Sequence, residues 1–224
     1  MDIEAYAKFC HDNADFIEVA SVLDAIGSAE GTWRNQKRLE DLGVHCLPCF
    51  HYGEPEAALE YYLDNYDHMT IGGMVPISSP NLIRWLDRIW PEHILDKDGK
   101  PRAKVHGFGL TSPTLMTRYP WYSVDSSSWV QIASYGAVFE PEYGALHISE
   151  KAPNRKSFNQ HFDNLAPVVQ QKLEAGFEFY GFTVEQLRKC YIHRRAYNAL
   201  RFTLLAENIA RDRQDHIQEQ KYLL

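Results

Sequence analysis

The chain has 224 residues, of which 45% are hydrophobic and 24% charged, ordinary values for a folded globular protein. They exclude a collagen, a coiled coil or a disordered chain as its main character, and a core of this size needs no covalent staples. A net charge of −7, from 30 acidic and 23 basic side chains, argues against a protein that binds nucleic acid by bulk phosphate neutralisation.

One large domain, or one domain with a helical tail, is expected. No apolar run reaches the roughly 18–20 residues of a membrane-spanning helix. The opening Met1–Tyr6 has neither the basic nor the apolar region of a signal peptide, so a cytoplasmic protein is expected. The four cysteines, Cys10, Cys46, Cys49 and Cys190, suit a reducing compartment and give no disulfide framework.

Asp2 caps a first helix whose apolar face is Ile3, Tyr6, Ala7 and Cys10. Phe16 to Leu23, rich in Ile and Val, predicts the first strand. A helix from Ala29 to Leu42 stops at Gly43. Val44 to Phe50 predicts the second strand and carries Cys46 and Cys49 between His45 and His51, the residue types of a zinc site. Strand residues three apart point to opposite faces, and a lone C-x-x-C is a weak signal. Buried structural thiols are therefore expected, with no metal and no cofactor.

Pro55 at a helix N1 position precedes Ala58, Leu59, Tyr62, Leu63 and Tyr66 at helical spacing. His68 to Met74 predicts the third strand. Ser79-Pro80 opens a helix with Leu82, Ile83, Leu86 and Ile89 inward, and Asp96 to Gly99 reads as a turn. Ala103 to Phe108 is the fourth strand, Ser112-Pro113 opens a short helix, and Trp121 to Val124 is the fifth strand. This alternation is the sequence form of successive βαβ units on a parallel sheet, so the fold class is α/β. The right-handed crossover rule leaves an open doubly wound sheet or part of a (β/α) barrel.

Ala137 to Ile148 then suggests a hairpin. From Asn164 onward the pattern is helical, with a capping box at Thr183 and Gln186 and one long helix carrying Leu187, Tyr191, Leu205 and Ile209. This segment concentrates Arg188, Lys189, His193, Arg194, Arg195 and Arg201. It reads either as a solvated helix face or as a phosphate-contacting one, in which Arg188, Arg194 and Arg195 touch nucleic acid.

Parallel α/β proteins bind ligands at the carboxyl ends of their strands. The residues there are Asp24 after the first strand, His51 after the second, Gly72 and Gly73 in the third, Gly107 and Gly109 around the fourth, and Asp125 after the fifth. Glycine within a strand marks close approach of backbone to a ligand. Asp125 stands among hydroxyls in Ser123-Val-Asp-Ser-Ser-Ser-Trp129, which favour its ionised form.

Ile71-Gly-Gly-Met74, Val105-His-Gly-Phe-Gly-Leu-Thr111 and Tyr122-Ser-Val-Asp-Ser-Ser-Ser-Trp129, in that order, resemble the last strands of tRNA-guanine transglycosylases. The resemblance is closer to the phage and mobile-element relatives that put 7-deazaguanine bases into DNA or RNA. It covers residues 1–150 and implies a (β/α)₈ TIM-type barrel that swaps guanine for a 7-deazapurine. Asp125 then matches the carboxylate that attacks the nucleoside C1′, and Asp24 the acid that reads the guanine edge. His51 stands where a glutamine contacts the base, and Gly72 and Gly73 match backbone lying against the purine. His106 and Gly109 join the implied substrate-binding set.

The chain has no Asp-Ser-Gly motif for the family's general acid/base, no cluster of three cysteines and a histidine for its zinc module, and five predicted strands against eight. The expectation is a partial barrel over residues 1–150 and a helical segment over 151–224. DNA or tRNA and a guanine or 7-deazapurine base are the expected partners, and no membrane is. A second chain or a second copy would supply the missing strands. The chain would be such an enzyme or its C-terminal portion; the alternatives are a non-catalytic fragment or binding subunit of such an assembly, or an unrelated barrel hydrolase acting on a nucleoside or glycoside.

Overall fold

The computed structural model describes residues 2–25, 27–110, 112–152, 155–156 and 159–222, the last of these over 214–222 by backbone alone. It is a mixed α/β protein with parallel sheets, and it divides into two compact units, Met1–Ser126 and Ser127–Leu224. The division falls before the hairpin rather than at residue 150, because the hairpin packs against the C-terminal helices. Among the described residues no helix is long and apolar enough to cross a membrane.

In the first unit the predicted βα rhythm is present, with shorter strands. Helix α1 (Ile3–Asp12) begins where the Asp2 carboxylate accepts the Glu4 amide at 3.0 Å. The expected strand over 16–23 shrinks to β1 (Ala20–Ser21): the amides of Phe16 and Ile17 bond back to Asn13, which keeps them in a turn, and Phe16 is 89% exposed. Ser28 caps α2 (Ala29–Asp41) through its hydroxyl.

The second predicted strand is split by Pro48 into β2 (Cys46–Leu47) and β3 (Cys49–His51). Pro48 has no N–H to give a ladder, and its carbonyl instead accepts both the amide and the hydroxyl of Thr70. Helix α3 (Glu56–Asn65) starts one residue later than predicted, with Pro55 as the flanking cap residue. Strand β4 (His68–Gly72) is buried from Met69 to Gly72, the continuous burial of a parallel strand covered on both faces.

Helix α4 (Ser79–Ile89) runs into a π-helical turn at Trp90–Ile94, where Pro91 lacks the N–H that would continue the α ladder. Strand β5 (Lys104–Gly107), helix α5 (Pro113–Arg118) and strand β6 (Ser123–Val124) complete the unit. β1 pairs with β2, and β3, β4, β5 and β6 pair in that order, every pairing parallel. The strands therefore follow one another in space as they do in the chain, as five βα units require. Leu39, Phe50, Met69, Ile71, Leu86 and Ile89 are fully buried between sheet and helices. Each contributes about 1.5–3 kcal/mol relative to exposure.

The second unit comprises α6 (Ser128–Ser134), the antiparallel hairpin β7 (Ala137–Glu140) and β8 (Gly144–His147), α7 (Pro167–Phe179), α8 (Val184–Lys189) and α9 (Tyr191–Tyr222). The capping box at Thr183 and Gln186 is formed, but the long helix is interrupted at Cys190. Val138, Leu146, Phe162, Phe177, Leu187 and Tyr197 form its core.

Asn198 ties this unit together. It is fully buried, its side-chain oxygen accepts the Phe139 amide at 2.7 Å, and its NH₂ donates to the carbonyls of Trp129 and Ala137. Asn198→Ala leaves the Phe139 N–H unpaired and is expected to cost about 2–3 kcal/mol in denaturant unfolding. A loss below about 0.5 kcal/mol would contradict this role.

Candidate functional site

The carboxyl edge of the parallel strands carries two groups of polar side chains. The first is built around His51, the last residue of β3. Its ring Nδ1 lies 2.9 Å from Glu54 Oε1, and the second oxygen of that carboxylate accepts the His51 backbone N–H at 3.1 Å. Glu54 reaches back because a short turn joins β3 to α3, closed by its own amide on the His51 carbonyl.

On the other side, Nε2 lies 3.1 Å from Asp24 Oδ2 and 3.4 Å from Cys49 Sγ. The backbone around Asp24 is pinned to α2: Asn35 donates to the Leu23 carbonyl, and the Ala25 amide donates to the buried Thr32 hydroxyl. The hydrogen bond to Asp24, then those to Cys49 and Glu54, push the His51 pKa up to about 12, so the ring is an imidazolium at neutral pH.

Asp24, His51, Tyr52, Glu54 and Gly73 line a cleft of about 520 Å³. Gly73 has φ +70°, and a Cβ there would sit 3.2 Å from the Tyr52 nitrogen. Gly72 leaves room of another kind, since a Cβ at that position would lie 2.9 Å from Cys49 Sγ. The Gly pair therefore lies as bare backbone beside His51.

The second group stands at the ends of β5 and β6. The Asp125 carboxylate accepts the Gly109 amide at 2.9 Å, which the left-handed Gly109 (φ +68°) presents to it. His106 Nδ1 pairs with the Ser123 hydroxyl at 2.8 Å, and its Nε2 is 3.7 Å from Asp125 Oδ1. Burial pushes the His106 pKa down, with Asp125 opposing, so the ring is neutral at pH 7. Asp125 itself is 58% exposed.

Asp24, His51 and Gly73 thus meet in one cleft, with Gly72 behind His51, whereas Asp125, His106 and Gly109 form a separate cluster along the same sheet edge and do not line it. Glu54 was missed in the sequence, and Cys49 was read there as a buried structural thiol rather than as a partner of His51. Cys49-x-His51 places both side chains on one strand face, and His51-x-x-Glu54 spans a turn, spacings that stand out only once the strand is known to end at His51.

Cys46 and Cys49 go to different partners, as strand geometry predicts for residues three apart. Cys46 donates to Gln36 Oε1 and burial pushes its thiol up to about 11.

Within the basic C-terminal segment the reading of Arg194 is a correction. Arg194 is buried, and its guanidinium donates to the carbonyls of Ala133, Leu187 and Arg188, at the carboxyl ends of α6 and α8. It caps two helices and cannot lie against a phosphate backbone on a solvated face. Arg188 pairs with Asp163 and lies over the Phe162 ring, and Arg201 pairs with the buried Glu140. Arg195, half-buried, lies 5.5 Å over Trp129. Much of the expected phosphate-contacting charge is neutralised within the unit.

No family model matches the chain, and no curated protein matches it.

Proposed function

We propose that this chain exchanges guanine for a 7-deazaguanine base in a nucleic acid, through a covalent aspartyl–nucleoside intermediate, on a partial (β/α) barrel. The observation that carries the reading is the order of Asp24, His51, Gly72-Gly73 and Asp125 along the carboxyl edge of successive parallel strands. Asp24, one oxygen of which is held by His51, offers a carboxylate that pairs with the N–H edge of guanine in two parallel hydrogen bonds. The bare backbone at Gly73 lets the flat base lie against the cleft wall.

Asp125 attacks C1′, the C1′–N9 bond breaks, and its electron pair leaves with guanine. The incoming base then attacks C1′ and the C1′–O bond to Asp125 breaks, regenerating the carboxylate. An oxocarbenium-like state beside an ionised carboxylate is the chemistry of retaining glycosidases. A proton passes from the incoming to the outgoing base, and His106, neutral and beside Asp125, suits its transfer.

Because β1 pairs on one side alone among the described residues, a second chain or copy that adds strands there belongs to this reading. A second reading, a base-binding subunit without turnover, draws on the absence of Asp125 from the lining of the Asp24 cleft.

Incubation with labelled guanine and either DNA or tRNA, followed by nucleoside mass spectrometry, tests the proposal. Label entering the polymer is the expected result. Guanine binding without incorporation supports the subunit reading, and net release of base from a nucleoside supports a hydrolase.

A further inference from the structure

We propose that Asp24, Cys49 and His51 form a binding site for one zinc-class divalent ion, with Glu54 orienting His51 from behind. Their ligand atoms, a carboxylate oxygen, a thiol sulfur and an imidazole nitrogen, all lie within 4.8 Å of one another. Tetrahedral bonds of about 2.0–2.3 Å separate neighbouring ligand atoms by about 3.3–3.8 Å. His51 Nε2 is 3.1 Å from Asp24 Oδ2 and 3.4 Å from Cys49 Sγ, so small shifts bring all three to bonding distance of a common centre.

The donor set chooses the metal. A thiolate with an imidazole suits a borderline-soft ion and disfavours magnesium or calcium, which take oxygen ligands. The surroundings fit as well. Cys49 and His51 are two apart on β3 and share a face, and Asp24 reaches the same point from the end of β1. Glu54 at 2.9 Å from Nδ1 is the carboxylate partner that fixes the ring of a metal-bound histidine. Gly72 leaves the space that Sγ occupies.

Three protein ligands beside an open cleft leave a fourth position to water or another ligand, unlike a closed structural site. The site stands independently of base exchange, which needs no metal. If Asp24 also reads guanine, ion and base exclude one another.

The test is titration of the reduced, metal-free full chain with cobalt(II), followed by absorption spectroscopy. The expected result is saturation at one ion per chain, with visible bands of four-coordinate cobalt and a near-ultraviolet thiolate-to-cobalt band, both bleached by zinc. Cys49→Ser should remove the thiolate band and Cys46→Ser should retain it. Glu54→Gln should weaken binding about 10–100-fold with the ligand set intact. Absence of a thiolate band in the unaltered chain, or its survival in Cys49→Ser, overturns the proposal. If Cys49→Ser does not fold, Asp24→Asn at the exposed cleft edge is decisive: affinity should fall at least tenfold, and unchanged affinity overturns the site.

Discussion

Asp125→Asn is expected to abolish the covalent adduct with nucleic acid and to lower base exchange at least about 10³-fold, as loss of a nucleophile does. The fold should survive. Asp125 is more than half exposed, its carboxylate accepts the Gly109 amide, and an asparagine oxygen accepts that bond too. The stability change should stay within about 1 kcal/mol. Trapped adduct on a denaturing gel, beside thermal unfolding of the same preparation, separates lost chemistry from lost structure.

Asp24→Asn should behave differently. One acceptor on the guanine edge becomes a donor, so binding of the guanine-bearing nucleic acid should weaken by about 1–3 kcal/mol while saturating nucleic acid still gives adduct. Adduct formed by Asp125→Asn, or none formed by Asp24→Asn at saturation, would reverse the two roles.

Arg194→Met is expected to destabilise the C-terminal unit by about 3–5 kcal/mol, more than any change at Arg188 or Arg195. The substitution leaves the carbonyls of Ala133, Leu187 and Arg188 without their donor at buried helix ends. It also removes a cation from two helix carboxyl termini, where each dipole end favours positive charge. Lysine should recover little, since one ammonium cannot reproduce a planar fork with donors to both helices. Arg195→Met, which removes the stacking contact over Trp129, should cost no more than about 1 kcal/mol. Hydrogen exchange resolved along residues 127–213 reads the difference directly. A fully stable Arg194→Met that had lost nucleic-acid binding would return Arg194 to a phosphate-contacting role.

The parallel order was legible in the sequence because Met69 to Gly72 and the other strands alternate with caps and prolines that punctuate helices. Strand lengths were not. Pro48 sits inside a run that reads as one strand by composition, yet its missing N–H divides that run. Phe16 carries strand propensity, but local turn bonds to Asn13 outcompete pairing.

At the site, Asp24 and His51 were legible as strand-end residues, and the structure joins them directly. Glu54 was invisible because its role depends on a turn that bends it back onto the preceding strand. Arg194 was misread because charge patterning reports the residues of a helix but not the carbonyls that a neighbouring helix end offers them.

The pairing order also bears on how the first unit assembles. Every strand there bonds to the strand just before or after it in the chain, so no segment must wait for a distant one. As the chain leaves the ribosome, Ala20 meets Cys46, Cys49 meets Thr70, and His106 meets Ser123, each across a single helix. The widest gap lies between Met69 and Val105, which must close over α4, the π-helical turn and the exposed Asp96–Gly99 turn. Loop-closure entropy rises slowly with length, yet this closure is the costliest of the set. Its added cost over the closure of Ala20 on Cys46 is only about 0.3 kcal/mol, so no one pairing dominates a unit that grows vectorially.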